Sequence, residues 1–200
     1  MLGADRFLIQ KKYMDFLNYD GCINTYTGLK FSFLEPKAEQ INIYDISKGL
    51  SFRGHFGGQT EQFFSIAQHS LLVCDLMPSR FRNNPRIGLA ALLHDASEAY
   101  TGDMVKPLKN LLPEFKAIED KITEVIFEKF EIGIEFLKTV KPYDIQAQDI
   151  EYNTFFKKTN NLQYLYPNEA NYAFMERYWH YVNMLSAEKT QAVDFYSVCP

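Results

Sequence analysis

Residues 86–100 read RIGLAALLHDASEAY. Wound at about 100° per residue, this stretch places His94, Asp95 and Glu98 within one arc roughly 100° wide. Leu89, Leu92, Leu93, Ala96 and Ala99 take the other side, so the pattern predicts a helix over residues 86–100, stopped by the turn at Gly102. A charged arc on a surface helix is ordinarily just its solvated face. Here the flanks are almost all Ala and Leu, as in a buried helix. The arc also sets an imidazole beside a carboxylate, a pair suited to a borderline divalent cation.

Working outward, residues 63–77 form a second amphipathic segment, stopped by Pro78. His69 projects there on the side of Ile66, Val73, Leu76 and Met77. A lone His on an apolar face is usually a core histidine bonded to a carbonyl. This one, however, precedes a second inward imidazole by 25 residues, room for a helix, a turn and a helix, in a chain with only four histidines. Further helices are predicted over residues 5–17, 113–130, 142–158 (with Pro142 in the first turn) and 168–185, with a short tail over 187–196. Residues 20–62, punctuated by Gly21, Gly28, Pro36, Gly49, Gly54, Gly57 and Gly58, predict loops, a short helix near 44–50 and a small hairpin. The expected fold class is mainly α: one helical-bundle domain over residues 1–200 with an irregular N-terminal segment.

Composition narrows the function classes. Apolar residues make up 46% of the 200, enough for a substantial core, and 17 Phe and 13 Tyr leave rings to spare for stacking on a planar ligand. A net charge of −4 supplies no global positive field, which argues against a nucleic-acid polymer as partner. Three widely spaced cysteines without a CxxC pair argue against a disulfide framework or a thiolate zinc site and fit a reducing cytoplasm. The N-terminal residues lack the order of a signal peptide, and no apolar run approaches the roughly 20 residues of a membrane span. The expectation is a soluble cytoplasmic protein.

Three strings, AQHSLLV (67–73), LLHDASEAYTGDMVKPLK (92–109) and LPEFKAIEDKI (112–122), resemble the HD-domain metal-dependent phosphohydrolases. The similar branch is that of bacterial 5′-deoxynucleotidases and related phage and bacterial deoxynucleoside-triphosphate triphosphohydrolases. Residues 25–51 look like the upstream segment of the same branch, so the resemblance runs from about Tyr26 to Glu151. It implies an α-helical HD bundle holding one divalent metal ion, Mn, Co, Fe, Ni or Zn, on His69, His94, Asp95 and a distal Asp. Val140-Lys141-Pro142-Tyr143-Asp144 resembles the stretch before that distal ligand, and Glu151 follows seven residues on, as the pattern expects. Asp149 competes with Asp144, and residues five apart on a helix point about 140° apart, too far to share one ion readily, so Asp144 is the expected distal ligand.

The resemblance further implies Glu98 as the acid/base carboxylate, Asp103 as a second site-facing carboxylate, and Lys106 and Lys109 beside the phosphate. Without it, these are a solvated helix residue, turn chemistry and a solvated loop. One departure stands out. Relatives carry Arg-Phe-x-Gly-His-Thr, where this chain has Arg53-Gly54-His55-Phe56-Gly57-Gly58-Gln59-Thr60. His55 takes the Arg position, so Arg53 and His55 are both candidate phosphate ligands, a His being the weaker. The expected activity is hydrolysis of a 5′-deoxynucleoside monophosphate to nucleoside and phosphate. The alternatives are a triphosphohydrolase, a sensor that binds a nucleotide without turnover, and a structural helical protein with core histidines. Members of the branch often dimerise, which leaves a homodimer as a further expectation.

Overall fold

The computed structural model describes residues 21–159 and 161–198, with side chains described up to residue 188. The helix expected over residues 5–17 lies outside them. A short antiparallel hairpin opens the described chain, β1 (Cys22–Asn24) against β2 (Lys30–Ser32), with Ile23 opposite Phe31. Nine α-helical segments follow among the described residues: α1 (Ile43–Ser51), α2 (Ile66–Leu76), α3 (Ser79–Arg82), α4 (Pro85–Leu92), α5 (Glu98–Thr101), α6 (Lys106–Lys109), α7 (Pro113–Lys129), α8 (Leu137–Phe155) and α9 (Pro167–Val198). The class is mainly α, as expected, and no described helix is long and apolar enough to cross a membrane.

Local sequence starts the main helices where it should. Asn42 accepts from the Tyr44 N–H at 2.9 Å, Ser65 from Gln68, and Asn84 from Arg86 and Ile87 with Pro85 in the first turn. Burial then assembles them. Helix α2 packs along α8 and α4 against α9, around a core that includes Ile46, Leu50, Ile66, Val73, Leu89, Leu92, Ile122 and Phe174. The hairpin serves the site too. Buried Phe31 stacks on Tyr100 with ring centroids 4.0 Å apart, and Thr27 donates through N and Oγ1 to the buried Asp45 carboxylate of α1, both at 2.7 Å. The stack braces the segment that carries Glu98, and the Thr27 bonds tie the hairpin to α1.

Three expectations need correction. The stretch 86–100 is not one helix: α4 ends at Leu92, and residues 93–97 form tight turns before α5. The His94 ring donates from Nδ1 to the Ala91 carbonyl at 2.8 Å, the acceptor that the residue-95 N–H would take in a continuous helix. Bonds of the i→i+3 type, Ala96 N–H to Leu93 O and Glu98 N–H to Asp95 O, tighten the chain there. Helix α8 begins five residues before Pro142, which therefore sits inside it. Burial of Val140 and the packing of Leu137 on the core outweigh the proline's missing N–H. Finally, α9 runs unbroken through the residues expected to form a helix and a separate tail.

Candidate metal centre

Four side chains from three places in the chain gather around two facing imidazoles, and the ligand atoms of His69, His94 and Asp95 all lie within 4.8 Å of one another. His69 comes from α2, His94 and Asp95 from the turn after α4, and Asp144 from α8. His69 Nε2 lies 3.2 Å from His94 Nε2, 3.2 Å from Asp144 Oδ1 and 3.6 Å from Asp95 Oδ2. His94 Nε2 lies 3.2 Å from Asp95 Oδ2 and 3.8 Å from Asp144 Oδ1. A cation about 2.0–2.2 Å from each N or O ligand holds neighbouring ligand atoms roughly 2.8–3.6 Å apart, in tetrahedral or octahedral arrangement. Only the last of the five separations exceeds that range, and by little. Asp149, the competitor, is exposed and takes no part.

The hydrogen bonds behind the ligands fix which atoms face the centre. His69 Nδ1 is 2.8 Å from Glu151 Oε1, and His94 Nδ1 faces the Ala91 carbonyl. With N–H on each Nδ1, both Nε2 lone pairs point at one another. Two lone pairs at 3.2 Å repel unless a proton or a metal ion sits between them. The electrostatics agree. Burial opposes a charge on His69, yet Glu151 and Asp144 outweigh it and raise its pKa; burial opposes His94 likewise, and Asp95 and Asp144 raise it well above the ordinary value. Burial would push Asp95 and Asp144 up, but the imidazoles hold both below the usual carboxylate range. The donor set fits a divalent cation.

The centre opens on one side only. Asp95, Glu98, Asp103, His55, Lys106 and Lys109 line a cleft of about 450 Å³, while His69 is sealed behind it at 0% exposure. Glu98 is buried with Oε1 3.2 Å from Lys109 Nζ, and its Oε2 has no hydrogen-bond partner among the described residues. Burial first, then the neighbouring Asp95 and Asp103, raise the Glu98 pKa well above that of an ordinary carboxylate. Lys109 also reaches Glu119 Oε2 at 2.8 Å, which keeps it charged despite burial. A larger cavity of about 610 Å³ lies elsewhere, between α2 and α9, lined by Leu72, Arg177 and His180. Asp75, Glu176 and His180 also line it, but among the described residues they form no group close enough to share a metal ion.

Two expected residues are placed differently. Arg53 does not line the cleft. Its guanidinium donates to the carbonyls of Glu98 and, at 3.5 Å, Tyr100, so it clamps the backbone of α5. His55 does line the cleft but is held between carboxylates: Nδ1 is 3.3 Å from Asp103 Oδ2, and Nε2 is 3.3 Å from Glu151 Oε2. Neither contact is well aligned as a hydrogen bond. Burial works against a charged His55, but the two carboxylates prevail and hold its pKa up to about 10. Gly57, in the left-handed region at φ 60°, turns the loop so that its N–H reaches Asp103 at 3.1 Å. Glu151, noticed in the sequence only for its spacing, is wholly buried and touches both His69 and His55. Its place seven residues after Asp144, two turns along one face of α8, is the signal that marks it.

No known family model matches this sequence. Over 123 residues it is 38% identical to the protein YfdR of Escherichia coli (strain K12), a stretch covering 62% of this chain and 66% of that one. Over 111 residues it is 39% identical to a protein of Rhodobacter capsulatus, covering 52% of this chain and 55% of that one. Both relatives are described as uncharacterized proteins. The matches thus span between about half and just under two thirds of the relatives' own lengths.

Proposed function

We propose that this protein is a metal-dependent phosphohydrolase of the HD-domain type, acting on a nucleotide phosphate ester, with a 5′-deoxynucleoside monophosphate as the favoured substrate. One observation carries the reading: the Nε2 atoms of His69 and His94 lie 3.2 Å apart with a carboxylate oxygen of Asp144 and of Asp95 beside them, at the rear of an open cleft. His69, His94, Asp95 and Asp144 would hold a divalent cation there, which would supply Lewis acidity to the phosphoryl group. Glu98, four residues beyond His94 and with a pKa raised by burial, is suited to take a proton from an attacking water or deliver one to the leaving oxygen. Asp103 keeps His55 in place at the cleft wall.

The phosphate charge is met by lysines. Lys116 and Lys141 pair with Asp120 and Asp144, and Lys109 is held by two glutamates. Lys106 is the cleft lysine without a carboxylate partner among the described residues. One unengaged ammonium suits a single phosphate better than a triphosphate chain, which favours the nucleotidase over the triphosphohydrolase. Four convergent ligands with a proton-handling carboxylate at hand likewise favour an enzyme over a sensor.

A panel of deoxyribonucleotides and ribonucleotides incubated with Mn²⁺, Co²⁺, Fe²⁺, Ni²⁺ or Zn²⁺ tests the proposal. Release of inorganic phosphate from dAMP identifies the nucleotidase; tripolyphosphate from dATP identifies the alternative. Glu98→Ala is expected to lower turnover by roughly 10²–10⁴-fold. Metal uptake without turnover of any nucleotide would favour the sensor instead.

A further inference from the structure

His55 stands where the resemblance expects a phosphate-gripping Arg, yet its surroundings point inward. It is 9% exposed, and its ring lies 4.6 Å from that of His69, tilted by 33°. Each ring nitrogen faces a carboxylate at 3.3 Å, Asp103 on the cleft side and Glu151 on the core side. Glu151 is wholly buried, and its other oxygen lies 2.8 Å from His69 Nδ1. The groups follow one another in a line, Gly57 N–H, Asp103, His55, Glu151, His69, in which hydrogen bonds close the two ends and 3.3 Å ionic contacts place His55 in the middle. For the ring to bind a phosphate, one of its nitrogens would have to leave a carboxylate. On the Glu151 side that strands a buried charge on the very group that orients a metal ligand.

We propose that His55 is a positioning residue of the metal centre, and not a ligand of the substrate: by holding Glu151 it sets the orientation of His69. This rests on the metal-centre reading above. Partners that orient a ligating His govern metal affinity, and their loss typically weakens it by roughly 10–100-fold. Loss of a phosphate ligand acts elsewhere, raising the KM for the nucleotide and leaving metal affinity alone.

The test is Co²⁺ titration of the full chain, followed by calorimetry and by the visible absorption of the bound ion, for the unaltered protein, His69→Ala and His55→Gln. The expected result is a Co²⁺ affinity lowered roughly 10–100-fold in His55→Gln, with an altered Co²⁺ spectrum and a nucleotide KM within about twofold at saturating metal. An unchanged Co²⁺ affinity and spectrum would overturn the inference while leaving the metal centre standing, as would a raised KM alone. An unaltered chain that binds no Co²⁺, or binds it equally well as His69→Ala, would overturn the metal-centre reading and this inference with it. Should His55→Gln fail to fold, Asp103→Asn at the cleft end of the line gives the same two outcomes: weakened Co²⁺ binding supports the role, and unchanged binding overturns it.

Discussion

At Asp144 the centre can be tested one atom at a time. Its Oδ1 faces both imidazoles and also accepts from Gln148 Nε2 at 2.8 Å, while Oδ2 pairs with Lys141. Asp144→Asn removes the charge and keeps the shape, so Co²⁺ affinity should fall by at least tenfold in a titration. Asp149→Asn, on the exposed side of the same helix, should leave that affinity unchanged. A different residue-scale prediction concerns Cys74, buried between α2 and α4 and pushed by burial from 9.0 up to about 12. The unfolded thiol ionises near 9.0 while the folded one stays protonated, so the folded state binds more protons and stability falls as pH rises from 9.0 toward 12. The contribution approaches about 1.4 kcal/mol per pH unit within that window. Urea unfolding at pH 8, 9 and 10 should show a shallower alkaline decline for Cys74→Ala than for the unaltered chain.

Among elements, the contact between α1 and α5 bears most directly on chemistry. Gly49 permits it: a Cβ there would lie 2.7 Å from the Ala99 carbonyl oxygen and 2.8 Å from the Ala99 Cβ. Ala99 follows Glu98, so α1 is the surface against which the Glu98 carboxylate, the proposed acid/base group, is set. Gly49→Ala should cost about 1–3 kcal/mol in urea unfolding through overpacking. It should also lower turnover more than Co²⁺ affinity, because α5 moves and the four ligands do not lie on it. The hairpin stack of Phe31 on Tyr100 and the Arg53 clamp brace the same short helix from other sides. With four residues α5 has little stability of its own, and tertiary contacts supply it.

For the whole molecule, the buried cluster joins α2, the turn after α4, and α8, so occupancy by a cation ties three parts of the core together. Ligand binding to the folded state alone stabilises by about 2.7 kcal/mol at 100 times Kd. For a domain of this size that corresponds to roughly 5–10 °C in Tm. Thermal unfolding should therefore shift upward on adding Mn²⁺ or Co²⁺ and return on chelation. His94→Ala should abolish the shift. A metal-independent Tm in the unaltered chain would remove the centre as a feature of the fold.

Apolar spacing near 3.6 residues made the helical class legible in the sequence, because that period acts locally. The inward pair His69 and His94 was legible for the same reason, since each sits among apolar neighbours whose phase it shares. Asp144 was preferred over Asp149 through the resemblance and the spacing to Glu151, whereas the break at Leu93 was not legible, because it depends on a partner distant in sequence, the packing of α5 on α1. Arg53 and His55 show the same limit. Residue type advertises a phosphate ligand in each. Only the tertiary structure, by setting Arg53 against the carbonyls of Glu98 and Tyr100 and His55 between Asp103 and Glu151, decided that both are engaged by the protein itself. Local patterns carry the phase of an element; which charges meet is set by how the elements pack.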